Sequence, residues 1–367
     1  MRGGISPDLQ TCKNGSPGEI MICATDKTDI FEGTARVREV SCHHGDAGLI
    51  EEVSASQSPV ILRGFVSDWP VVGAGKSSIG DLQAYLARFD NGAVVPISAG
   101  PAELDGRLFY NDDFTGVNVD RGNAPFTLFL DRVFKYGPAD PPPLIYLAST
   151  DVDAVLPGFR DENDIDFGSF APLRSVWIGT RTRVAAHNDL PLNIACVAAG
   201  ERRFTLFPPD QTPNLYAGPF ELTPASRPVS LVDFAAPDLE KYPRFEEAVR
   251  HAQIADLEPG DAIFIPSMWW HHVEATGPVN ILVNYWWRTS PAHLGTPQDV
   301  LHHAMKTLRD LPPEEKAIWK HMFEHYVFET DGSERDHIPE NARGILDPIT
   351  PESAARIRAF LRERLNR

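Results

Sequence analysis

Between residues 175 and 287 short apolar runs alternate with turns carrying glycine and proline, and this texture limits the fold more than any other feature of the chain. Ser175-Val176-Trp177-Ile178-Gly179 opens the series. Residues 193–199 and Arg202–Phe207 flank Gly200-Glu201 in the pattern of a hairpin. Pro208-Pro209 stops the second run, because proline has no N–H to give a ladder. Glu258-Pro259-Gly260-Asp261 is a turn feeding Ala262–Ile265, Pro266 ends that run, and residues 279–287 supply the last one. Many short strands broken in this way predict an antiparallel barrel or a double-sheet jelly roll.

The flanks have different textures. Residues 1–45 are rich in Gly, Ser, Thr and Asp without a sustained period, and are expected to be a flexible arm. Residues 60–65 read as a short buried strand closed by Gly64, and Ser67-Asp68-Trp69-Pro70 as a turn. Ser77 or Ser78 is placed to cap a helix whose Leu82, Tyr85, Leu86 and Phe89 share one face. Phe126–Tyr136 reads as a helix, residues 144–148 as a strand, and the acidic residues 151–170 as a surface loop or lid. Residues 210–237 form a polar excursion, followed by a charged helix around 239–251. Beyond Pro297, residues 300–311, 314–328 and 351–365 are helical by period. The expected organisation is thus an arm (1–45), a strand-rich domain (46–295) and a helical region (296–367). Leu301, Met305, Leu308, Ile318, Trp319, Phe323, Ile357, Phe360 and Leu361 of that last region need cover, and a homodimer interface through these helices is the expectation.

Composition narrows the partners. The 367 residues are 42% hydrophobic and carry a net charge of −17, enough apolar material for a large core beneath an acidic surface. Such a surface repels phosphate backbones and disfavours nucleic acid. No apolar run approaches the ~18–20 residues of a membrane span. Cys12, Cys23, Cys42 and Cys196 contain no C-x-x-C pair, and a reduced, cytoplasmic setting is expected.

Two stretches carry chemistry. In Arg183-Val184-Ala185-Ala186-His187-Asn188-Asp189, His187 and Asp189 lie two apart, so on a strand they share a face. A lone carboxylate is costly to bury in a barrel interior, and a metal removes that cost. The plainer alternative is a strand-end turn beside a surface histidine. The second stretch, Trp269-Trp270-His271-His272, sets a histidine at the start of a later strand, and only one of two adjacent histidines can face such a site. Two imidazoles and one carboxylate are the ligand set of a non-haem Fe(II) facial triad with open positions.

Residues 189–210 and 259–287 together resemble the JmjC/cupin family of Fe(II)- and 2-oxoglutarate-dependent oxygenases, in the branch that contains the asparaginyl hydroxylase inhibiting hypoxia-inducible factor. The resemblance covers roughly residues 55–290. It implies a mainly β fold, a double-stranded β-helix of the jelly-roll type with N-terminal α/β elements and a C-terminal helical appendage. It also implies His187, Asp189 and His271 as the metal-ligating, catalytic set, with His272 turned outward. Arg202 falls where the family holds the far carboxylate of 2-oxoglutarate with a cation, Tyr146 matches a tyrosine on the same carboxylate, and Asn193 and Asn284 match asparagines near the metal. For each asparagine, a buried amide bonded to backbone is the alternative. Arg202 and Val184 stand where that hydroxylase has lysine and threonine. The implied activity is hydroxylation of a protein side chain or a small molecule. The rivals are a metal-binding cupin of another reaction class, such as a Zn or Mn isomerase or a dioxygenase that needs no 2-oxoglutarate, and a non-catalytic binding module.

Overall fold

A computed structural model describes residues 30–42, 48–225 and 227–366, so Cys12, Cys23 and His43-His44 lie outside the described residues. Its first strands are β1 (Ala35–Arg36), β2 (Arg38–Ser41), β3 (Val60–Arg63), β4 (Val94–Gly100), β5 (Arg107–Leu108) and β6 (Asp120–Pro125). The central series is β7 (Leu144–Asp151), β8 (Leu173–Gly179), β9 (Thr182–Asn188), β10 (Leu192–Ala199) and β11 (Arg202–Phe207). The last are β12 (Gln253–Leu257), β13 (Ala262–Ile265), β14 (Trp270–Ala275) and β15 (Asn280–Trp287). Helices α1 (Leu49–Ser54), α2 (Pro70–Ser77), α3 (Ile79–Ala87), α4 (Phe126–Tyr136), α5 (Val152–Val155) and α6 (Phe245–Arg250) interrupt them. The chain closes with α7 (Pro297–Leu308), α8 (Pro313–Phe323) and α9 (Pro351–Leu365).

The strands form a six-stranded sheet, β1-β12-β11-β14-β9-β5, and a nine-stranded sheet, β2-β3-β13-β10-β15-β8-β7-β4-β6. From β8 to β11, and again from β12 to β15, the chain changes sheet at every step. That winding is the double-stranded β-helix form of the jelly roll, with helical additions. It also corrects one expectation: β10 and β11 do not pair as a hairpin, because the turn at Gly200-Glu201 carries the chain from one sheet to the other.

Side chains alternate across a strand, so one face of each sheet lines the space between them. Ala195 and Val197 of β10, Phe204 and Leu206 of β11, Ile263 and Ile265 of β13, Val273 of β14 and Leu282 of β15 meet there in one buried cluster. At ~1.5–3 kcal/mol for each large side chain removed from water, this cluster is the main clamp between the sheets. The same parity sends Asn193, Arg202, His271 and Asn284 into that interior.

Several local expectations change for identifiable reasons. Pro70 is not the end of a turn; it is the first helical residue of α2, a position that needs no N–H. Ser78 is the cap, its Oγ accepting from the Asp81 N–H at the start of α3. The acidic stretch 151–170 is not a loose lid. Val152, Val155, Leu156 and Phe159 are buried, and the buried Asn163 donates to Tyr85 Oη at 2.7 Å and accepts from the Val71 N–H at 3.1 Å. The excursion 210–237 covers the outer face of the six-stranded sheet, where Leu215, Val232 and Phe234 pack on Ala186, Phe207 and Trp270. Within the expected arm, β1 pairs in parallel with β12 and β2 with β3.

The chain divides into two units: the described residues up to Asp166 with Arg174–Asn284, and Phe167–Leu173 with Tyr285–Arg367. In the second unit α7, α8 and α9 each begin at a proline, and Thr296 and Thr350 cap the first and last. Among the described residues no helix is long and apolar enough to cross a membrane.

Gly200 gives a direct test of the inter-sheet turn. Its φ is +72°, and a Cβ there would fall on Asn280 Oδ1 and 2.6 Å from the Val279 carbonyl oxygen. Gly200→Ala is expected to cost at least ~2 kcal/mol, combining left-handed strain with this clash. The melting midpoint should fall by about 4–8 °C, and an unchanged melt would refute this account of the turn.

Candidate metal centre

β9 and β14 pair antiparallel with His187 directly opposite His271. The two rings lie 4.4 Å apart, tilted by 54°. Asp189 Oδ2 is 3.7 Å from His271 Nε2 and 4.0 Å from His187 Nε2, and one ligand atom from each residue lies within 4.8 Å of the others. His187 Nδ1 is 2.9 Å from the Ala185 carbonyl oxygen, and His271 Nδ1 is 3.0 Å from that of Trp269. A carbonyl only accepts, so each Nδ1 carries the proton and each Nε2 turns a lone pair toward Asp189. Burial pushes His271 down to about 4, His187 beside it adds to the shift, and Asp189 opposes it. His271 is therefore neutral, the form that binds a metal, across the neutral range.

A β-bulge makes this possible. His187 pairs with His271 and Val184 with Val273, so Ala185 and Ala186 together stand opposite His272. The extra residue keeps both His187 and Val184 on the interior face. His272 points the other way, its ring 4.6 Å from that of Phe234, and its burial, followed by Arg183 nearby, pushes it down to about 3. The ambiguity between the adjacent histidines is resolved by strand geometry: His271 faces the cluster and His272 the outer layer.

Sequence reasoning missed the clip that holds Asp189. In the turn before β14 the Met268 N–H donates to the Asp189 carbonyl at 2.8 Å, and Ser267 Oγ donates to the Leu190 carbonyl at 2.6 Å. Met268 adopts φ +65° to make this contact. Only the proline-bounded turn at Pro266 hinted at it, since a left-handed methionine has no sequence signature.

Arg202 and Tyr146 lie in the same interior, 3% and 5% exposed. Burial lowers Arg202 to about 10 and raises Tyr146 to about 12, the latter opposed by Arg202. The guanidinium stays charged at neutral pH. Among the described residues no carboxylate pairs with it, and its Nε has no hydrogen-bond partner. Leaving a guanidinium buried and unpaired costs several kcal/mol on the order typical of such ions. Tyr146 packs with Leu108, Val119 and Leu144, with Trp177 and Val184 against them. A Cβ on Gly179 would come within 2.9 Å of Tyr146 Cδ2, so a glycine there leaves room for the ring. Asn284 Nδ2 donates to Asn193 Oδ1 at 2.7 Å, leaving the buried Asn284 Oδ1 without a partner. The amides thus bond each other, and one acceptor is left over. Arg203, on the outer face, lies 3.4 Å from Asp256.

The winding of the sheets and the two-histidine, one-carboxylate group agree with the match of residues 47–293 to the Cupin-like domain family. The chain belongs to that family, in the JmjC group of Fe(II)- and 2-oxoglutarate-type oxygenases. It is similar to human HSPB1-associated protein 1, 28% identical over 73% of this chain and 56% of the relative. It is also similar to Lysine-specific demethylase 8 of Xenopus tropicalis, 27% identical over 63% of this chain and 48% of the relative. A third relative is tRNA wybutosine-synthesizing protein 5 of Gallus gallus, 31% identical over 36% of this chain and 43% of the relative. The chain thus spans about half the length of the first of these. The family generally uses Fe(II) and 2-oxoglutarate, and the residues present fit both. The donor set suits Fe(II), and the unpaired Arg202 suits a carboxylate.

The two histidines separate in one experiment. His271→Ala is expected to remove the thermal stabilisation given by Mn(II), while His272→Phe keeps it, because the outer ring packs on Phe234 without facing the metal. Mn(II) stabilisation that survived in His271→Ala and vanished in His272→Phe would reverse the assignment.

Proposed function

We propose that the chain is an Fe(II)- and 2-oxoglutarate-dependent dioxygenase that hydroxylates a protein side chain or a small molecule, releasing succinate and CO2. The observation that carries this reading is Arg202, a buried guanidinium with no acidic partner among the described residues, in the interior that also holds His187, Asp189 and His271. A metal-binding cupin whose substrate carries no anionic group has no need of a buried cation of this kind.

Bound iron with its co-substrate would supply the oxygen activation, one atom of O2 going to succinate and the other to a substrate C–H bond. The chain's residues do the rest. His187, Asp189 and His271 would hold one face of the ion and leave the opposite face for ligands. The Nδ1–H bonds to Ala185 and Trp269 fix the ring planes, so the lone pairs converge without reorganisation. Arg202 would hold the far carboxylate of 2-oxoglutarate through its planar fork, with the Tyr146 hydroxyl donating to the same group. Trp177, Val184 and the apolar cluster keep water from that ion pair, which strengthens it. Asn284 Oδ1 offers an acceptor, and the Asn193 bond sets its direction.

The relatives' names point to different substrates, a lysine in one case and a tRNA in another. The net charge of −17 argues against an RNA here, and the likeness to a side-chain hydroxylase favours hydroxylation over demethylation. Mass spectrometry of lysate proteins and metabolites incubated with enzyme, iron and 2-oxoglutarate should show a gain of one oxygen on a specific molecule.

Arg202 decides between the oxygenase and its rivals. N-oxalylglycine with Mn(II) is expected to raise the melting midpoint of the wild type, and Arg202→Met to weaken that ligand about 100-fold while keeping the effect of Mn(II) alone. Undiminished N-oxalylglycine binding in Arg202→Met would overturn the co-substrate assignment.

A further inference from the structure

The bulge that keeps His187 and Val184 on one face is gripped from behind by one short segment, residues 229–234. Each of the three bulge residues meets it. Ala185 packs in a buried cluster with Val229 and Tyr110. The Ala186 carbonyl accepts from the Ser230 N–H at 2.7 Å. The His272 ring lies 4.6 Å from that of Phe234. The same segment also holds Arg183, the residue just before Val184. Asp233 Oδ1 is 3.0 Å from Arg183 Nη1, and Asp233 Oδ2 is 3.4 Å from Nη1 of Arg107, on the β5 strand that flanks β9. Asp105 fixes Arg183 from a further side, its carboxylate and its carbonyl oxygen each 3.0 Å away. Burial works against the charge on Asp233, yet Arg107 and Arg183 hold its carboxyl below the usual range. The Ala235 N–H donates to the same carboxylate at 3.1 Å.

We propose, on the reading that His187, Asp189 and His271 hold a metal, that Asp233 is a positioning residue of that centre: it splints the β9–β14 bulge from the outer face and so keeps His187 aimed inward. A bulge leaves one residue without a ladder partner, and that residue can sit at more than one position along the strand. Moving it past His187 would turn the imidazole to the outer face, because alternation reverses at each step. The outer segment opposes that move by its span. Ser230 and Asp233 grip Ala186 and Arg183, and the two pairs are equally spaced along their own strands, so the length of chain between the grips is fixed. Asp233 is the grip with charge. It stands between two guanidiniums, and without its carboxylate Arg107 and Arg183 would repel each other in a partly buried site. That repulsion would lift the segment from the bulge while Phe234 and Val229 kept the outer layer packed.

Titration of the full chain with Mn(II), followed by electron paramagnetic resonance well below the melting point, tests this. Asp233→Asn should bind Mn(II) about 10–100-fold more weakly than the wild type, the loss typical when a group that orients a metal ligand is removed. Asp256→Asn, which breaks other ion pairs of the same sheet, with Arg36 and Arg203, should keep wild-type affinity. A lower melting midpoint in Asp233→Asn with Mn(II) affinity unchanged makes Asp233 a structural residue only and overturns the proposal. Equal weakening in both variants overturns it too, as a general loosening of the sheet. A wild type that binds no Mn(II) overturns the metal reading itself, an outcome distinct from the other two, and the splint falls with it. Should Asp233→Asn fail to fold, Arg183→Gln removes the other half of the pair and leaves Asp233 with Arg107. Weakened Mn(II) binding there supports the splint, and wild-type affinity refutes it.

Discussion

The pairing of β9 with β14 governs which side chains meet at the candidate metal centre. One antiparallel register puts His187 opposite His271 and, through a two-against-one bulge, returns Val184 to the interior beside Tyr146. Because side chains alternate strictly, a slip of one residue would send His272 inward and His271 out. The outer layer makes that slip expensive. His272 is stacked under Phe234, and Trp270 is sealed beneath the returning segment with its Nε1 donating to Thr212 Oγ1 at 2.8 Å. Residues far from the ligands in sequence therefore hold the ligands in register, and the excursion 210–237 acts on the site through the back of the sheet.

The interior mixes two kinds of side chain. Apolar residues from both sheets meet in one cluster, and this is where the stabilisation comes from. The same faces present a buried guanidinium with no acidic partner among the described residues and an amide oxygen without a donor. Neither stabilises the chain alone, since both lose hydration with nothing in return. Their placement makes sense when the missing partner is a ligand that arrives after folding. An anion reaching Arg202 would gain the full strength of a charge pair in a dry pocket, and the fold has already met the cost of drying it.

What the sequence made legible was whatever depends on parity and on hard local chemistry. His187 and Asp189 share a face because they are two apart, and the histidine pair had to split between faces. Capping at Ser78 and helix starts at prolines also follow from single residues. What escaped depends on contacts distant in sequence. Gly200-Glu201 looks like a hairpin turn, because a glycine at positive φ serves a hairpin and a sheet-to-sheet turn equally; Asn280 and Val279, pressed against it, decide the matter. The acidic residues 151–170 look like a lid because their charge hides a buried set, Val152, Val155, Leu156 and Phe159, that becomes visible only when packed. The bulge at Ala185-Ala186 carries no residue-type signal at all.

The departure from lysine at position 202 has a physical reading in this pocket. Full burial lowers Arg202 only to about 10, which leaves it charged. Arginine also offers two parallel N–H groups to a carboxylate, whereas an ammonium is a point charge. That matters more here because Val184 supplies no hydroxyl. On the proposed reading, with one donor fewer on the wall, a bidentate Arg202 would restore the count of hydrogen bonds to the anion, and the two departures, arginine for lysine and valine for threonine, would be one compensated change.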